Sequence, residues 1–402
     1  MRLAVVSPFV DRRHGTERAL AELLERLAHT YGCEIHLYAQ RVEDLALNDA
    51  NASRSFKCGR ILWHKIPSIP GPHLVQFLTW ICLNGVVRWS QKQFGGLSFD
   101  LVLSPGINCF HADAVMVHAL FHRLRELAAE GHAPLSSHFG ILRGVHRRVY
   151  YRALTSLERR LYTDREISLA AVSPRTAELL ADYFDRRDVR VIPNGVDTSQ
   201  FSLAARLLLR SEGRQRYNFQ ENDFVLLLIG NDWRNKGLPT VLAAMAACSE
   251  LPMRLLVVGQ DLPEPHQALA KRLGLFDRCH WGGPGPDALS FYAIADVYAS
   301  PTLEDAFALP PLEAMACGLP VITSVRNGGS HIVTDGVDGF VLQDPTDTKV
   351  LAELFRRLYR NPDLQKTIGA NAVRTAREWN WDRSAAEAWE WLNVVLRGKK
   401  KH

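Results

Sequence analysis

The chain has 402 residues, with 48 Lys and Arg against 43 Asp and Glu, for a formal charge of +5 with its 15 His neutral. Charged residues make up 23% and the apolar set 47%, an ordinary globular balance that excludes a mostly disordered or fibrous chain. At roughly 100–200 residues per domain the length implies two domains, each large enough to bury a core. The excess charge sits in one half: residues 1–200 hold 25 basic and 20 acidic side chains, whereas 201–402 hold 23 of each.

From the N-terminus, residues 3–8 read as a strand, and 17–29 as a helix with Leu20, Leu23, Leu24 and Leu27 on one face. Residues 34–38 read as the next strand. Strand, helix, strand implies a parallel sheet with right-handed crossovers. Residues 168–172 and 189–192 look like further strands of this half. Between them, residues 74–87 form the longest apolar run. Gln76, Thr79, Asn84 and Gly85 interrupt it, and it falls short of the ~20 residues that span a bilayer. It reads as a core helix rather than an interfacial one. Residues 141–161 are different: Arg143, Arg147, Arg148, Arg152, Arg159 and Arg160 face Glu158 alone. Leu142, Val145, Val149, Leu154, Leu157 and Leu161 fall opposite the arginines. Such a segment is either a solvated helix face or a contact with an anionic membrane surface.

Ile192-Pro193-Asn194-Gly195-Val196-Asp197 is a turn-rich break, after which the pattern restarts. Residues 224–230 are a near-continuous apolar strand, as expected when both faces are buried. A helix over 238–248 and strands at 254–259, 297–299 and 320–323 follow. A Trp-rich helix closes the chain. The expected domains are therefore 1–198, 199–375 and a terminal helix over 376–402. The seven cysteines contain no C-x-x-C pair, so they read as reduced thiols of a cytoplasmic protein rather than as a disulfide frame or zinc site. Leu3-Ala4-Val5-Val6 is too short an apolar stretch for a signal peptide.

Ligands of open parallel sheets bind beyond the carboxyl ends of the strands, and three segments lie there. The first is residues 301–318, in which Pro310-Pro311 marks a helix start. Phe307, Ala308 and Leu309 would present backbone N–H groups to an anion such as a diphosphate. Asp305 precedes that start and Glu313 falls in the first turn, where two carboxylates suit sugar hydroxyls beside the diphosphate. The second is the Gly-bounded loop 230–237, whose Asn231, Arg234 and Lys236 suit a phosphate leaving group. The third is Arg13-His14-Gly15-Thr16-Glu17, where Gly15 allows a close backbone approach and Thr16 reads as a helix cap. His118 ends a further strand. Its spacing to His122 could bind metal, but no carboxylate ligand supports it. No Asp-x-Asp pair occurs, so a magnesium-dependent nucleotide-sugar site of that type is unsupported.

Together these segments resemble glycosyltransferase family 4. Asp305 to Glu313 looks like the family's Glu-x7-Glu signature, followed by Glu313-Ala314-Met315-Ala316-Cys317-Gly318. Lys236-Gly237 looks like its donor-phosphate lysine motif, and residues 191–197 like its interdomain segment. Residues 230–237, 258–261 and 328–332 look most like the lipopolysaccharide-core glucosyltransferase branch. The resemblance implies an α/β GT-B fold, with two Rossmann-like domains whose parallel sheets face across a cleft. It implies a retaining, metal-independent transferase with no cofactor, moving a hexose from a UDP-sugar to a glycan or glycolipid. By the same resemblance, Lys236 holds the donor diphosphate, Glu313 the ribose, Gly15 and Thr16 approach the phosphates, and His118 faces the transferred sugar. Asp305 stands where the family has glutamate, Asn231 where it has arginine, and His14-Gly15 where it has two glycines. The rival expectation is a nucleotide-sugar protein on the same fold that does not transfer, such as an epimerase or an inactive binder. A nucleic-acid partner is disfavoured, since no binding motif or long basic stripe appears.

Overall fold

The computed structural model describes residues 1–48, 59–129, 141–283, 285 and 287–400, with the backbone alone in 141–147. The chain forms two compact units. Of the described residues, one takes 1–128, 141–194 and the helix from Trp381, and the other takes Ala129 and 195–380.

The first unit contains, in order, β1 (Arg2–Val6), β2 (Phe9–Val10), α1 (Gly15–His29), β3 (Glu34–Ala39), β4 (Arg41–Val42), β5 (Arg60–Lys65) and α2 (His73–Gly95). Then come β6 (Leu101–Pro105), β7 (Ala114–Val117), α3 (Phe121–Ala129), α4 (Ile141–Tyr162), β8 (Ser168–Ala171), α5 (Pro174–Phe184) and β9 (Arg190–Val191). Among the described residues its main sheet has the order β5-β3-β1-β6-β7-β8-β9 with every pairing parallel. β2 and β4 form a separate short pair.

The second unit contains α6 (Leu203–Arg216), β10 (Phe224–Ile229), α7 (Leu238–Ala246), β11 (Met253–Val258), α8 (Glu264–Arg272), β12 (Cys279–Gly282) and α9 (Ala288–Ile294). It continues with β13 (Val297–Ala299), α10 (Leu309–Ala316), β14 (Val321–Ser324), β15 (Phe340–Leu342), α11 (Thr348–Arg360) and α12 (Pro362–Glu378). α13 (Trp381–Lys399) belongs to the first unit. The second sheet runs β12-β11-β10-β13-β14-β15, again all parallel. That is the doubly wound order 3-2-1-4-5-6. β10 is apolar at every position because it is central and covered on both faces.

Boundaries differ from the sequence reading. The first unit ends at Asn194 rather than 198, and the return to it starts at Trp381 rather than 376. α12 stays with the second unit because its Gly369 lies on the Gly318 backbone, where a Cβ would come within 2.3 Å of the Gly318 carbonyl oxygen. α13 is tied to the first unit by an Arg26–Asp382 ion pair at 2.7 Å, by Tyr31 stacked on Trp389, and by the Trp391 indole donating to Ser168 at 2.9 Å.

Two helices depart from expectation. The run 74–87 lies in α2, but only one face of that helix enters the core. Trp80 and Ile81 are buried, whereas Val75, Leu78 and Val86 are exposed. In α4, Leu154 and Leu161 are buried and Leu157 packs against the same core, so the apolar face assigned to lipid is spent inside the protein. Val149 alone of the described apolar set is exposed. The side chains of Leu142, Arg143, Val145 and Arg147 lie outside the described residues, as does Cys58. The described cysteines are unpaired thiols.

A ladder of arginines anchors the second unit. Arg206, Arg210 and Arg214 recur every four residues along α6 and all reach the carboxyl end of α9. Arg206 donates to the Ala295 carbonyl at 2.7 Å, Arg210 to the same carbonyl at 2.9 Å, and Arg214 to that of Ile294 at 3.1 Å. Cations there satisfy the last carbonyls and complement the helix dipole. Asp296 neutralises Arg210 and Arg214, and it also accepts the Val225 N–H of β10 at 2.8 Å. We expect Asp296→Ala, which leaves a buried Arg214 unpaired, to lower unfolding stability by about 3 kcal/mol. Urea denaturation of the full chain measures it; a loss below about 1 kcal/mol would show the ladder to be incidental.

Candidate functional site

In the second sheet the chain reverses direction of travel between β10 and β13, which is where open sheets leave room for a ligand. The loops that follow these two strands are stitched together. The Leu303 N–H donates to the Asn235 carbonyl at 2.7 Å, and the Asn235 side chain donates to the Glu304 carbonyl at 2.8 Å and accepts its N–H at 3.2 Å. Gly237 closes the first loop with φ of 82°, and a Cβ there would lie 2.3 Å from the Pro301 carbonyl oxygen, so glycine is required. Asp261, after β11, accepts the N–H groups of Asp232 and Trp233 at 2.8 and 2.6 Å. The result is a fixed loop that aims Lys236 at the start of the neighbouring one.

Lys236, only 9% exposed, forms an ion pair with Asp305. Of the two adjacent carboxylates, the one on the lysine is therefore that of Asp305. Asp305 is itself gripped by the loop after β14: its N–H donates to the Arg326 carbonyl at 3.1 Å, and its carbonyl accepts the Gly328 N–H at 2.8 Å. Asn231 is exposed, and its side-chain oxygen accepts the Gln260 N–H at 3.0 Å. Arg234 is half-buried, and its carbonyl accepts the Gly237 N–H at 3.1 Å.

The tip of α10 differs from the sequence expectation. The Phe307 N–H is not open to a ligand: it donates to the Asp305 carboxylate at 2.9 Å. The Ala308 N–H donates to the Asn327 side chain at 3.1 Å. Leu309 is the first helical residue, and Pro310 and Pro311 after it have no N–H to offer. The tip therefore has fewer donors for an anion than three consecutive N–H groups would supply. Glu313 lies one residue beyond the first turn. It is buried, and it accepts the Tyr292 hydroxyl at 2.6 Å.

The first sheet has the same reversal, between β1 and β6, and a cavity of about 330 Å³ lies there. Pro8, Phe9 and Thr16 line it after β1, Gly106 and Asn108 after β6, and His118 after β7. α2 and α4 complete the wall with Trp80 and Tyr150. None of the described lining residues is Lys, Arg, Asp or Glu. Both ring nitrogens of His118 are buried without a hydrogen-bond partner, and burial pushes its pKa down to about 4. A neutral imidazole thus lies against the cavity, with the Met116 backbone near enough to act on its pKa.

Thr16 is not the cap of α1. The cap position is His14, and Thr16 is an exposed residue of the first turn that reaches the cavity. The bend before the helix is set by Asp11, which accepts the N–H groups of Arg13 and His14 at 2.8 and 2.9 Å and bonds the His14 ring. Burial raises the Asp11 carboxyl and these bonds more than offset it, leaving its pKa lowered. A Cβ on Gly15 would meet nothing within 4 Å, so neither packing nor a turn demands glycine there. His122 turns away from His118 to Glu158, which accepts its ring nitrogen at 2.7 Å and caps α3 through the Phe121 and His122 N–H groups. No His, Cys, Asp and Glu cluster suited to a metal occurs among the described residues.

Residues 13–200 match the sequence profile described as Glycosyltransferase Family 4, and residues 210–375 the profile described as Glycosyl transferases group 1. A D-inositol 3-phosphate glycosyltransferase of Thermomonospora curvata is 30% identical over 317 residues, which is 75% of this chain and 67% of that protein. The chain belongs to glycosyltransferase family 4. The lipopolysaccharide glucosyltransferase WaaG of Escherichia coli is 32% identical over 162 residues, 40% of this chain and 43% of WaaG. Against WaaG and other curated relatives, the match spans about half of their length. The crystal structure of WaaG superposes with a TM-score of 0.75 at 20% identity, covering 96% of this chain and 98% of WaaG. HepE of Anabaena, in complex with UDP-glucose, does so at 0.68 and 17%, covering 98% and 100%. The two parallel Rossmann-like sheets are those of the GT-B fold.

In this family member, the signature residues Asp305 and Glu313 both follow β13, and Lys236 follows β10 beside it. Sequence reasoning passed over Asp11, Asn235, Asp261 and Asn327. All four follow a strand, and Asn327 also precedes two glycines, which was the available signal. His118 also makes a testable demand on stability. Its folded pKa, about 4, is below the ordinary value of 6.5, so the unfolded chain takes up a proton first. The stability of the protein with neutral His118 is full above pH 6.5 and falls as pH drops towards 4. His118→Gln should flatten that fall in urea titrations over this window; an unchanged slope would mean the imidazole is solvated.

Proposed function

We propose that the chain is a retaining, metal-independent hexosyltransferase. It moves glucose from UDP-glucose to a hydroxyl of a glycan or glycolipid in cell-envelope or exopolysaccharide synthesis. The observation that carries the reading is Lys236 held against Asp305 at the reversal point of the second sheet, with Glu313 buried close behind in sequence. A lysine ammonium has three donors, so one can stay on Asp305 while others take the donor's diphosphate. In this reading Asp305 contacts the sugar that the diphosphate carries, and Glu313 takes the ribose. The preference for UDP-glucose draws on WaaG, named a glucosyltransferase, and on HepE, whose complex holds UDP-glucose.

In the reaction, the bond from the sugar's anomeric carbon to the departing phosphate oxygen breaks, and a bond to the acceptor oxygen forms on the same face. The acceptor's proton passes to the departing phosphate. Lys236 stabilises the charge that develops there, and Arg234 supplies a second cation on the same loop. The acceptor is assigned to the cavity of the first unit, where neutral His118 can accept from or donate to a sugar hydroxyl. Several relatives are named for D-inositol 3-phosphate, yet a cavity without Lys or Arg among its described lining residues suits an uncharged acceptor better than a phosphorylated one.

Nucleotide release from a panel of donors, with and without sugar acceptors, tests the reading. Release that needs an acceptor supports transfer, whereas tight UDP binding with no turnover supports a non-transferring binder. Lys236→Ala should lower turnover at least about tenfold; wild-type kinetics in that variant would remove the lysine from the site. Gly15→Ala should fold normally, because the added methyl meets no protein atom, yet raise the KM for donor. Loss of folding, or an unaltered KM, counts against Gly15 as a place of close donor approach.

A further inference from the structure

Tyr292 lies in α9 with its side chain wholly buried, and its hydroxyl donates to Oε2 of Glu313 at 2.6 Å. The Pro310 carbonyl is 3.4 Å from the same hydroxyl, a weaker alternative for its single proton. A buried tyrosine hydroxyl needs a partner, and a main-chain carbonyl is enough to satisfy it. Here the shorter bond goes instead to a carboxylate that is itself only 4% exposed. Burying a carboxylate is costly, and where packing alone is needed an apolar pair of the same shape serves as well. The hydroxyl and the carboxylate are therefore placed together for a use other than packing.

Both members are held still. Phe201 stands edge-on to the Tyr292 ring at a centroid distance of 5.7 Å, and Arg206 of α6 donates to the Tyr292 carbonyl at 3.3 Å. α6 runs close against α9 at this level: a Cβ on Gly213 would come within 3.2 Å of Ile294. Pro310 and Pro311 fix the backbone at the start of α10, the helix that carries Glu313. Burial, and then the charge of Glu313, pushes the Tyr292 hydroxyl well above its ordinary pKa of 10, so it keeps its proton and acts towards Glu313 only as a donor. A carboxylate offers about four acceptor positions, and a bond at one oxygen sets its rotation without exhausting it.

We propose that Tyr292 is a positioning residue: it orients the Glu313 carboxylate for the ribose hydroxyls of the donor nucleotide, and so makes the site select ribonucleotides over deoxyribonucleotides. This role rests on the function proposed above, in which Glu313 takes the ribose. A carboxylate oriented before binding has less freedom left to lose when the nucleotide arrives, so the gain appears as affinity. Because Tyr292 acts only through Glu313, it adds nothing for a nucleotide that lacks the hydroxyls.

Calorimetry on the full chain, with UDP and with 2′,3′-dideoxyuridine diphosphate, tests the role. The wild type should bind UDP at least about tenfold more tightly, as expected of hydrogen bonds to a charged group. Tyr292→Phe, which keeps the ring, should weaken UDP about fivefold and leave the dideoxy nucleotide unchanged. In a Glu313→Ala background the same substitution should have no further effect, because its partner is gone. Phe201→Leu, which removes the ring standing against Tyr292, should shift the two affinities in the same sense and serves if Tyr292→Phe does not fold. A wild type that prefers UDP, with variants that weaken both nucleotides alike or with additive losses in the double variant, overturns the role of Tyr292 and leaves Glu313 on the ribose. A wild type that binds both nucleotides alike, or neither, overturns the ribose assignment and the role of Tyr292 with it.

Discussion

The pairing of Lys236 with Asp305 is the constraint on which the second unit's site depends. A doubly wound sheet leads its crossovers away in opposite directions from β10 and β13, so the loops above these strands would ordinarily part. Here the Asn235 side chain and the Leu303 and Glu304 backbones pull them together, and the loop after β14 holds Asp305 from the other side. The lysine's charge is therefore delivered to a fixed point, and its partner is a carboxylate that the backbone cannot withdraw. Partial burial makes this worth more than a surface pair, because solvent screens it less. Preorganisation of this sort places charge before a substrate arrives, which is where much of the work of stabilising a departing diphosphate lies.

The central strands were legible because burial on both faces leaves an uninterrupted apolar run, and β1, β10 and β11 each have one, while β3 keeps Ile35, Leu37 and Tyr38 around His36. Strands β5, β12 and β15 lie at sheet edges. There one side lacks a neighbour and polar residues intrude, as in Trp63-His64-Lys65 and Cys279-His280-Trp281, so the run disappears. β6 is central but ends in Ser104-Pro105, which leaves only Leu101-Val102-Leu103 as an apolar run. For the site, residue type and position after a strand were enough to find Lys236, Asp305 and Glu313. They were not enough to find Asn327, whose role exists only because the Ala308 N–H comes within 3.1 Å of it across the fold. The expectation of open N–H groups at α10 failed for the same reason: local sequence shows which donors a helix start leaves over, not which distant side chain claims them.

The first sheet repeats the reversal of the second, yet the two sites are built from opposite materials. In the second unit Lys236 is paired with Asp305, and the loops after β10 and β13 are stitched together. In the first, the cavity walls are aromatic and amide with two imidazoles, His73 and His118, and the ring nitrogens of His118 are buried. A buried ring of that kind is stabilised by a ligand that hydrogen-bonds to it, and an uncharged hydroxyl does so at the least desolvation cost.

The reading of α2 and α4 shows how apolar periodicity can mislead about surfaces. Both helices carry enough apolar residues for two assignments, and the sequence favoured core for α2 while leaving α4 open between a solvated face and a membrane contact. The packing gives the reverse emphasis, since α4 spends Leu154 and Leu161 on the core while α2 keeps an entire row outside. Periodicity identifies a face but not what covers it, and composition along one helix cannot reveal that a neighbour has already filled the core. The charges did point in a useful direction, because arginines that cannot be buried unpaired must stay outside whichever way the helix turns. The arginines of α4 and the apolar row of α2 are exposed alike, on two segments that are each ambiguous when read alone.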